Sequence, residues 1–599
     1  MLPPRGTPSD LEMSPYGQPG SAEPSSSTRP LLEPPPSPSL LPETKWRRNG
    51  HHHRWRRWMT PVLVLSTPFL LISIYAIVHP HVPGLPPLPH MSLNGLKGQL
   101  DEISDGALGC LCGATSEGER LCEVYDKEGL RASRLFEGSG ARMRKVLRKA
   151  RDGEPIKVGI LGGSVSACHG VHPSPEYPQG DPDGPGCYTS LLNQWFTDTF
   201  PDSHHEFLNG AIGGMDSSYY AFCGTHHIAD DTDLIVLEFD VNDQPDDIYQ
   251  AFFDQLLRVL SEFTSQPAVV ILGAWAPQVA QDVGYADPQM IHLPIAHYYD
   301  IPYISMKRLM FNHYLRFPAS ISRAFYQQDI LHPNARGHRI LADLLIAYLE
   351  SELCQLNRFG LPPSRPESDT ISTTLLSSDL VSIPFNLDSP HMTDPTTPPP
   401  GWESTFDLEP LQSLTSEPRH FVLPTTPYSI PLVGLFTPLR DVVNPRQPDP
   451  SSSRHVTGLV QPRMFCADAN DHDNPMTPTS SEGWEPFVWN GEKHFWVSST
   501  IGARIRVDIK VNEGRVAVYY YRSQHYHLGD AKCWVDDNEK GAVTLAGYWT
   551  KQYNVAVVAY IDEKVTPGDH YVTCEVSKTT SHPDDPDAHN FRIVAVMAT

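Results

Sequence analysis

Between residues 131 and 358 short, continuous apolar runs alternate with longer stretches whose apolar positions recur roughly every three to four residues. IKVGILGG, DLIVLEFD, AVVILGAW and IPYISM read as strands buried on both faces, whereas ARMRKVLRKARDG, YTSLLNQWFTDTF, DIYQAFFDQLLRVLSEF and RGHRILADLLIAYLESEL carry a helical period. Such alternation predicts an α/β domain, a parallel sheet flanked by helices. Over residues 461–599 the period shortens to two, in ARIRVDIKV, GRVAVYYYRS, YNVAVVAYI and HYVTCEVS, with Gly, Asp and Asn between the runs. That pattern predicts a second domain, an all-β sandwich.

Other segments cannot build a core. The 59 prolines of the 599-residue chain gather in the first hundred residues and between about 360 and 455, among Ser and Thr. We expect a disordered cytosolic tail over 1–58 and a linker over 359–460. Between tail and domain, residues 59–78 form an apolar run long enough to cross a bilayer, preceded by Lys45, Arg47, Arg48, Arg54, Arg56 and Arg57. No basic residue follows until Lys97, so the positive-inside rule predicts a type II signal anchor, with a stem over 79–130 and the rest of the chain in the Golgi lumen or at the cell surface. Pro61 and Pro68 fall inside the run, which membrane helices tolerate.

Charge and cysteine content fit this layout. A net charge of −24 leaves no basic face for phosphates and argues against a nucleic-acid partner. All ten cysteines follow the anchor, as expected of disulfides in an oxidising compartment. Cys168 and Cys187 suit a staple across a Pro/Gly-rich insertion, and Cys533 and Cys574 a bridge within the β-domain, which leaves Cys466 to pair elsewhere.

In an open parallel sheet, reactive groups collect at the carboxyl ends of the strands. Three clusters fall there: Gly162-Gly163-Ser164 after the first strand, Val241-Asn242-Asp243 after DLIVLEFD, and Asp329-Ile330-Leu331-His332-Pro333 before the last helix. Separated by three residues, Asp329 can hold one imidazole nitrogen of His332 while the other faces the sheet edge. These blocks and the glycine segment NGAIGGMDS, in this order over residues 156–350, resemble the SGNH (GDSL-like) hydrolase superfamily, although GGSVS stands where many members have GDS. The layout is also similar to fungal membrane-anchored SGNH proteins linked to capsule or cell-wall polysaccharide.

The resemblance implies a flavodoxin-like sheet, Ser164 as nucleophile, His332 as general base and Asp329 as its orienting acid. It further implies an oxyanion hole made by the backbone N–H groups of Ser164 and Gly214 and the side-chain amide of Asn242, with Gly210 and Gly213 as rival alignments for the glycine. Neither metal nor cofactor is expected. The His226-His227 and Asp230-Asp231 groups lack metal-site spacing, and His169 and His172 read as cleft-lining or solvated loop residues.

The expected activity is that of a serine esterase acting on O-acyl, chiefly O-acetyl, groups of a polysaccharide or glycoconjugate. The alternatives are O-acetyl transfer to a sugar hydroxyl by the same triad, and a non-catalytic cell-wall-binding protein. Aromatic residues of the β-domain, among them Trp484, Trp489, Trp496, Tyr526, Trp534, Tyr548 and Trp549, suit either a sugar-stacking face or a small core.

Overall fold

The computed structural model describes residues 109–359 apart from 114, 176 and 178, then Leu435, then residues 463–599 apart from 552 and 553. The tail over 1–58, the anchor over 59–78, the stem up to residue 108 and, Leu435 aside, the linker up to 460 lie outside the described residues. Among the described residues no helix is long and apolar enough to cross a membrane.

The first domain is built on six strands: β1 (Arg134–Phe136), β2 (Ile156–Gly162), β3 (His205–Asn209), β4 (Leu234–Glu238), β5 (Ala268–Gly273) and β6 (Tyr303–Ser305), in the spatial order β1-β6-β5-β4-β2-β3. All pairs are parallel except β1 with β6. After β2 the chain moves outward to β3, then returns across β2 to β4, and this reversal opens a crevice at the carboxyl ends of β2 and β4. Ile156, Val158, Ile160, Leu234 and Val236 face one helical layer, which includes Leu341, Leu345 and Leu349 of helix Ala335–Phe359. Leu161, Ile235, Leu237 and Ile271 face the other, which includes Phe252, Phe253 and Leu256 of helix Asp247–Ser261. Each such side chain withdrawn from water contributes about 1.5–3 kcal/mol.

Part of the expected stem belongs to this domain. Thr115 caps the helix Ser116–Ser133 by accepting from the amides of Glu117 and Gly118, and the helix packs on Ala335–Phe359, where Tyr125 donates to Asp343 Oδ2 at 2.9 Å. A disulfide from Cys110 to Cys354 fastens the same segment.

The second domain has two antiparallel sheets. One holds β7 (Phe465–Asp468), β9 (Glu485–Trp489), β10 (Lys493–Ser498), β12 (Val516–Arg522), β15 (Val555–Asp562) and β17 (Phe591–Ala598). The other holds β8 (Ser480–Glu482), β11 (Arg504–Val511), β13 (Asp530–Val535), β14 (Val543–Ala546) and β16 (Gly568–Val576). β11 alternates exposed and buried residues, as a strand with one wet face should, whereas β17 is buried at every position. The cause is a second covered face: Phe495, Tyr519, Tyr521, Ala595 and Met597 share a core with Tyr219, Phe222 and Phe252 of the α/β domain.

Polar contacts pin this interface. Tyr519 donates to Asp216 Oδ1 at 3.0 Å, Tyr219 donates to Asp468 Oδ2, and a disulfide joins Cys223 to Cys466. His226 and His227 face Asp471 and Asp468 across it, at 3.3 and 3.4 Å, so both histidines serve the contact between domains. Cys168–Cys187, Cys533–Cys574 and Cys112–Cys122 complete the pairing of all ten cysteines.

Candidate active site

Ser164, separated from the end of β2 by Gly163 alone, opens a tight turn in which His169 N donates to Ser164 O and Ala167 N to Gly163 O, both at 3.0 Å. The two glycines before it are needed for close approach. A Cβ on Gly163 would lie 2.0 Å from Asn242 Oδ1, and one on Gly162 would lie 2.5 Å from Ser166 Oγ and 2.9 Å from Glu238 O. Glycine at these positions therefore lets the Asn242 amide lie against the serine turn. Asn209 Nδ2 braces that turn by donating to Ser166 O at 2.9 Å.

The turn before helix Ala335–Phe359 supplies the other two groups. Ser164 Oγ lies 2.8 Å from His332 Nε2, and His332 Nδ1 lies 2.6 Å from Asp329 Oδ2. The second carboxylate oxygen, Oδ1, accepts from the backbone N–H groups of Leu331 and His332 at 3.0 and 3.1 Å. One side chain thus folds the turn and fixes the imidazole. Burial, the largest single influence, pushes the Asp329 carboxyl upward, but the hydrogen bond and charge of His332 together with the backbone N–H groups of His332 and Leu331 outweigh it and hold the carboxyl below its ordinary value. Ile330 takes a φ of +52°, a strained choice for a β-branched residue. Asn334 then starts the helix by accepting from Arg336 N and Gly337 N.

The glycine segment runs beside the end of β2: Gly210 N donates to Ile160 O at 2.9 Å and Ile212 N to Gly162 O at 3.2 Å. Gly210 is enclosed by His227, with backbone only 2.5 Å from a Cβ placed there, whereas Gly214, at φ +83°, has Lys493 Nζ 3.6 Å from its Cβ position. The sheet edge brings together Ser164, His332, Asp329 and Asn242, with Gly214 on the segment alongside.

Sequence reasoning missed the contribution of the second domain. β9 and β10 form a hairpin in which Trp489 pairs with Lys493 around Asn490 and Gly491, both at positive φ (53° and 75°). This is the Asn-Gly turn that favours a tight hairpin, and the dipeptide was the available signal. It carries Glu492 to 3.1 Å from His169 Nε2, and the His169 ring stands 5.5 Å from that of His332, centre to centre. Burial lowers the His169 pKa to about 4, against the raising effect of Glu492. His172, by contrast, packs near Gly186. A cavity of about 450 Å³ lined by Asp183, Gly186, Thr189, Asn193, Gln194 and Asn209 lies beside the insertion, without Ser164 or His332 in its wall.

No protein-family model matches the chain. No curated protein matches it either. Among solved structures, a two-domain esterase active on acetylated mannans, crystallised with mannopentaose, superposes with a TM-score of 0.51 at 18% identity, over 78% of this chain and 97% of that one. The fold is shared. The match is long enough to take in both domains. An acetyl xylan esterase from Geobacillus stearothermophilus aligns over 35% of this chain and 97% of its own, at 17% identity and a TM-score of 0.26.

Proposed function

We propose that this chain is a serine esterase that removes O-acyl, chiefly O-acetyl, groups from a polysaccharide or glycoconjugate. The observation that carries the reading is the hydrogen-bonded series from Ser164 Oγ through His332 to Asp329, at 2.8 and 2.6 Å, at the point where the strand order reverses. Its resemblance to SGNH hydrolases and the two-domain likeness to an esterase active on acetylated mannans support the carbohydrate substrate.

In this reading His332 Nε2 takes the proton of Ser164 as Oγ bonds to the acyl carbon. The carbonyl oxygen becomes an oxyanion, facing the amides of Ser164 and Gly214 and the side chain of Asn242. Collapse breaks the bond to the sugar oxygen, which leaves with the proton from His332. Water then attacks the acyl-enzyme with His332 again as base, the bond between Ser164 Oγ and the acyl carbon breaks, His332 returns its proton to Oγ, and acetate departs. The basic residues and apolar run over 45–78, together with complete pairing of the cysteines, support a type II protein of the secretory pathway.

The test is acetate release from acetylated mannan and acetylated xylan by the purified protein. Release from either, without transfer of label to a free sugar hydroxyl, is expected. No release from any acylated glycan or aryl ester would overturn the reading, and label appearing on an acceptor sugar would move it to acyl transfer.

A further inference from the structure

We infer that Lys493, a residue of the second domain, supplies positive charge to the acyl oxygen as the tetrahedral intermediate forms at Ser164. This rests on the serine-esterase reading above and adds to it a group from outside the α/β domain.

Lys493 begins β10 and is only 8% exposed. Its chain passes through the space that glycine leaves open: Cε lies 3.0 Å from the Cβ position of Gly213, and Nζ lies 3.6 Å from that of Gly214. A Cβ at Gly213 would crowd this stem and, at 2.5 Å, the His169 ring, whereas at Gly214 it would stand in ordinary contact with Nζ. Among the described residues its ammonium has no hydrogen-bonding or ion-pair partner, only the Trp489 ring with its centroid 5.0 Å away. The adjacent carboxylate, Glu492, is turned to His169 at 3.1 Å.

A buried cation whose neighbouring carboxylate is bonded elsewhere, as Glu492 is to His169, is only partly compensated, and an arriving anion stabilises it. At this site an anion does arrive, for the ester carbonyl is neutral and the oxygen of the tetrahedral intermediate carries a full negative charge. A fixed ammonium beside Gly214 therefore favours the intermediate over the bound ester, the differential interaction that raises kcat. The titratable groups around Lys493 are Glu492 on its own hairpin, His169 from the serine turn and, behind that ring, His332. Burial lowers the Lys493 pKa to about 8, with Glu492 opposing.

The experiment compares wild type, Lys493→Met and Lys493→Arg with a small neutral aryl acetate, and measures the rate at which a fluorophosphonate labels Ser164. We expect Lys493→Met to lower kcat by about tenfold or more, with KM nearly unchanged, and to slow labelling in parallel. Wild-type kcat/KM should decline above about pH 8 as Lys493 loses its proton; this limb should vanish in Lys493→Met, and Lys493→Arg should restore much of the rate without it. An unchanged kcat in folded Lys493→Met, or a defect confined to KM for glycan esters, overturns the inference. Failure of the wild type to label would remove the esterase reading itself, whereas labelling at the same rate with and without Lys493 would remove only the role of the lysine.

Discussion

Ser164 and Ser166 are two residues apart in GGSVS and meet different surroundings. Ser166 is fully buried, 2.8 Å from Tyr188 OH and 3.1 Å from Glu238 Oε2, so its hydroxyl is committed to the interior. Ser164 has His332 Nε2 as its side-chain partner. Asp329 gives the sharpest test at this scale because its two oxygens have separate duties. In Asp329→Asn the amide oxygen can still accept from Leu331 N and His332 N, which keeps the turn, while the NH₂ group faces His332 Nδ1 and imposes the wrong tautomer. We expect kcat to fall by about 10²- to 10⁴-fold with melting nearly unchanged. Steady-state kinetics alongside thermal melting checks this, and wild-type kcat in the variant would deny Asp329 its orienting role. Because the wild-type carboxyl sits below its ordinary value, its contribution to the turn persists into acid and is lost as pH falls through that lowered pKa.

At the scale of elements, legibility followed burial. β2, β4 and β5 are almost wholly enclosed, and their unbroken apolar runs marked them as strands of a covered parallel sheet. β3, at the sheet edge, alternates half-buried and exposed residues in HEFLN, and β1 has three residues, so neither offers a run long enough to read. The turn from Asp329 to His332 was legible because its chemistry is local, three residues folding on one side chain. The Asn490-Gly491 dipeptide, overlooked in the sequence, signals a turn but not its destination. Local pattern cannot say that Glu492 and Lys493 reach a loop some three hundred residues earlier in the chain, since that depends on the packing of one sheet face against another domain. The cysteines divide in the same way. The Cys168–Cys187 and Cys533–Cys574 pairs lie within single domains and were foreseeable, whereas the partner of Cys466 was set by the interface.

Taken as a whole, the molecule encloses a group of acids beneath its candidate site. Burial, reinforced by Asp240, raises the Glu238 pKa to about 8 although Ser166 donates to it. A carboxyl whose folded pKa lies above its unfolded value stabilises the fold fully below about pH 4.5 and progressively less as pH rises through about 8. Glu238→Gln does not titrate, so its stability relative to wild type should improve steadily between pH 5 and pH 8 and level off beyond. Denaturant midpoints across that range check the sign, and a difference that does not change with pH would contradict it. Buried His338 opposes this trend in acid: desolvation lowers its pKa to about 3, so its contribution is gained as pH rises towards 6.5.

The domains share one apolar core, a disulfide and the Tyr519–Asp216 hydrogen bond, which places the second domain beside the serine rather than on a tether. The claim on which everything else depends is that Ser164 is the nucleophile. It is tested most directly by treating the folded protein with a fluorophosphonate and mapping the modified peptide by mass spectrometry. The account predicts one label, on Ser164, absent from Ser164→Ala of unchanged melting temperature; a folded protein that remains unlabelled, or that carries the label on another serine, would contradict it.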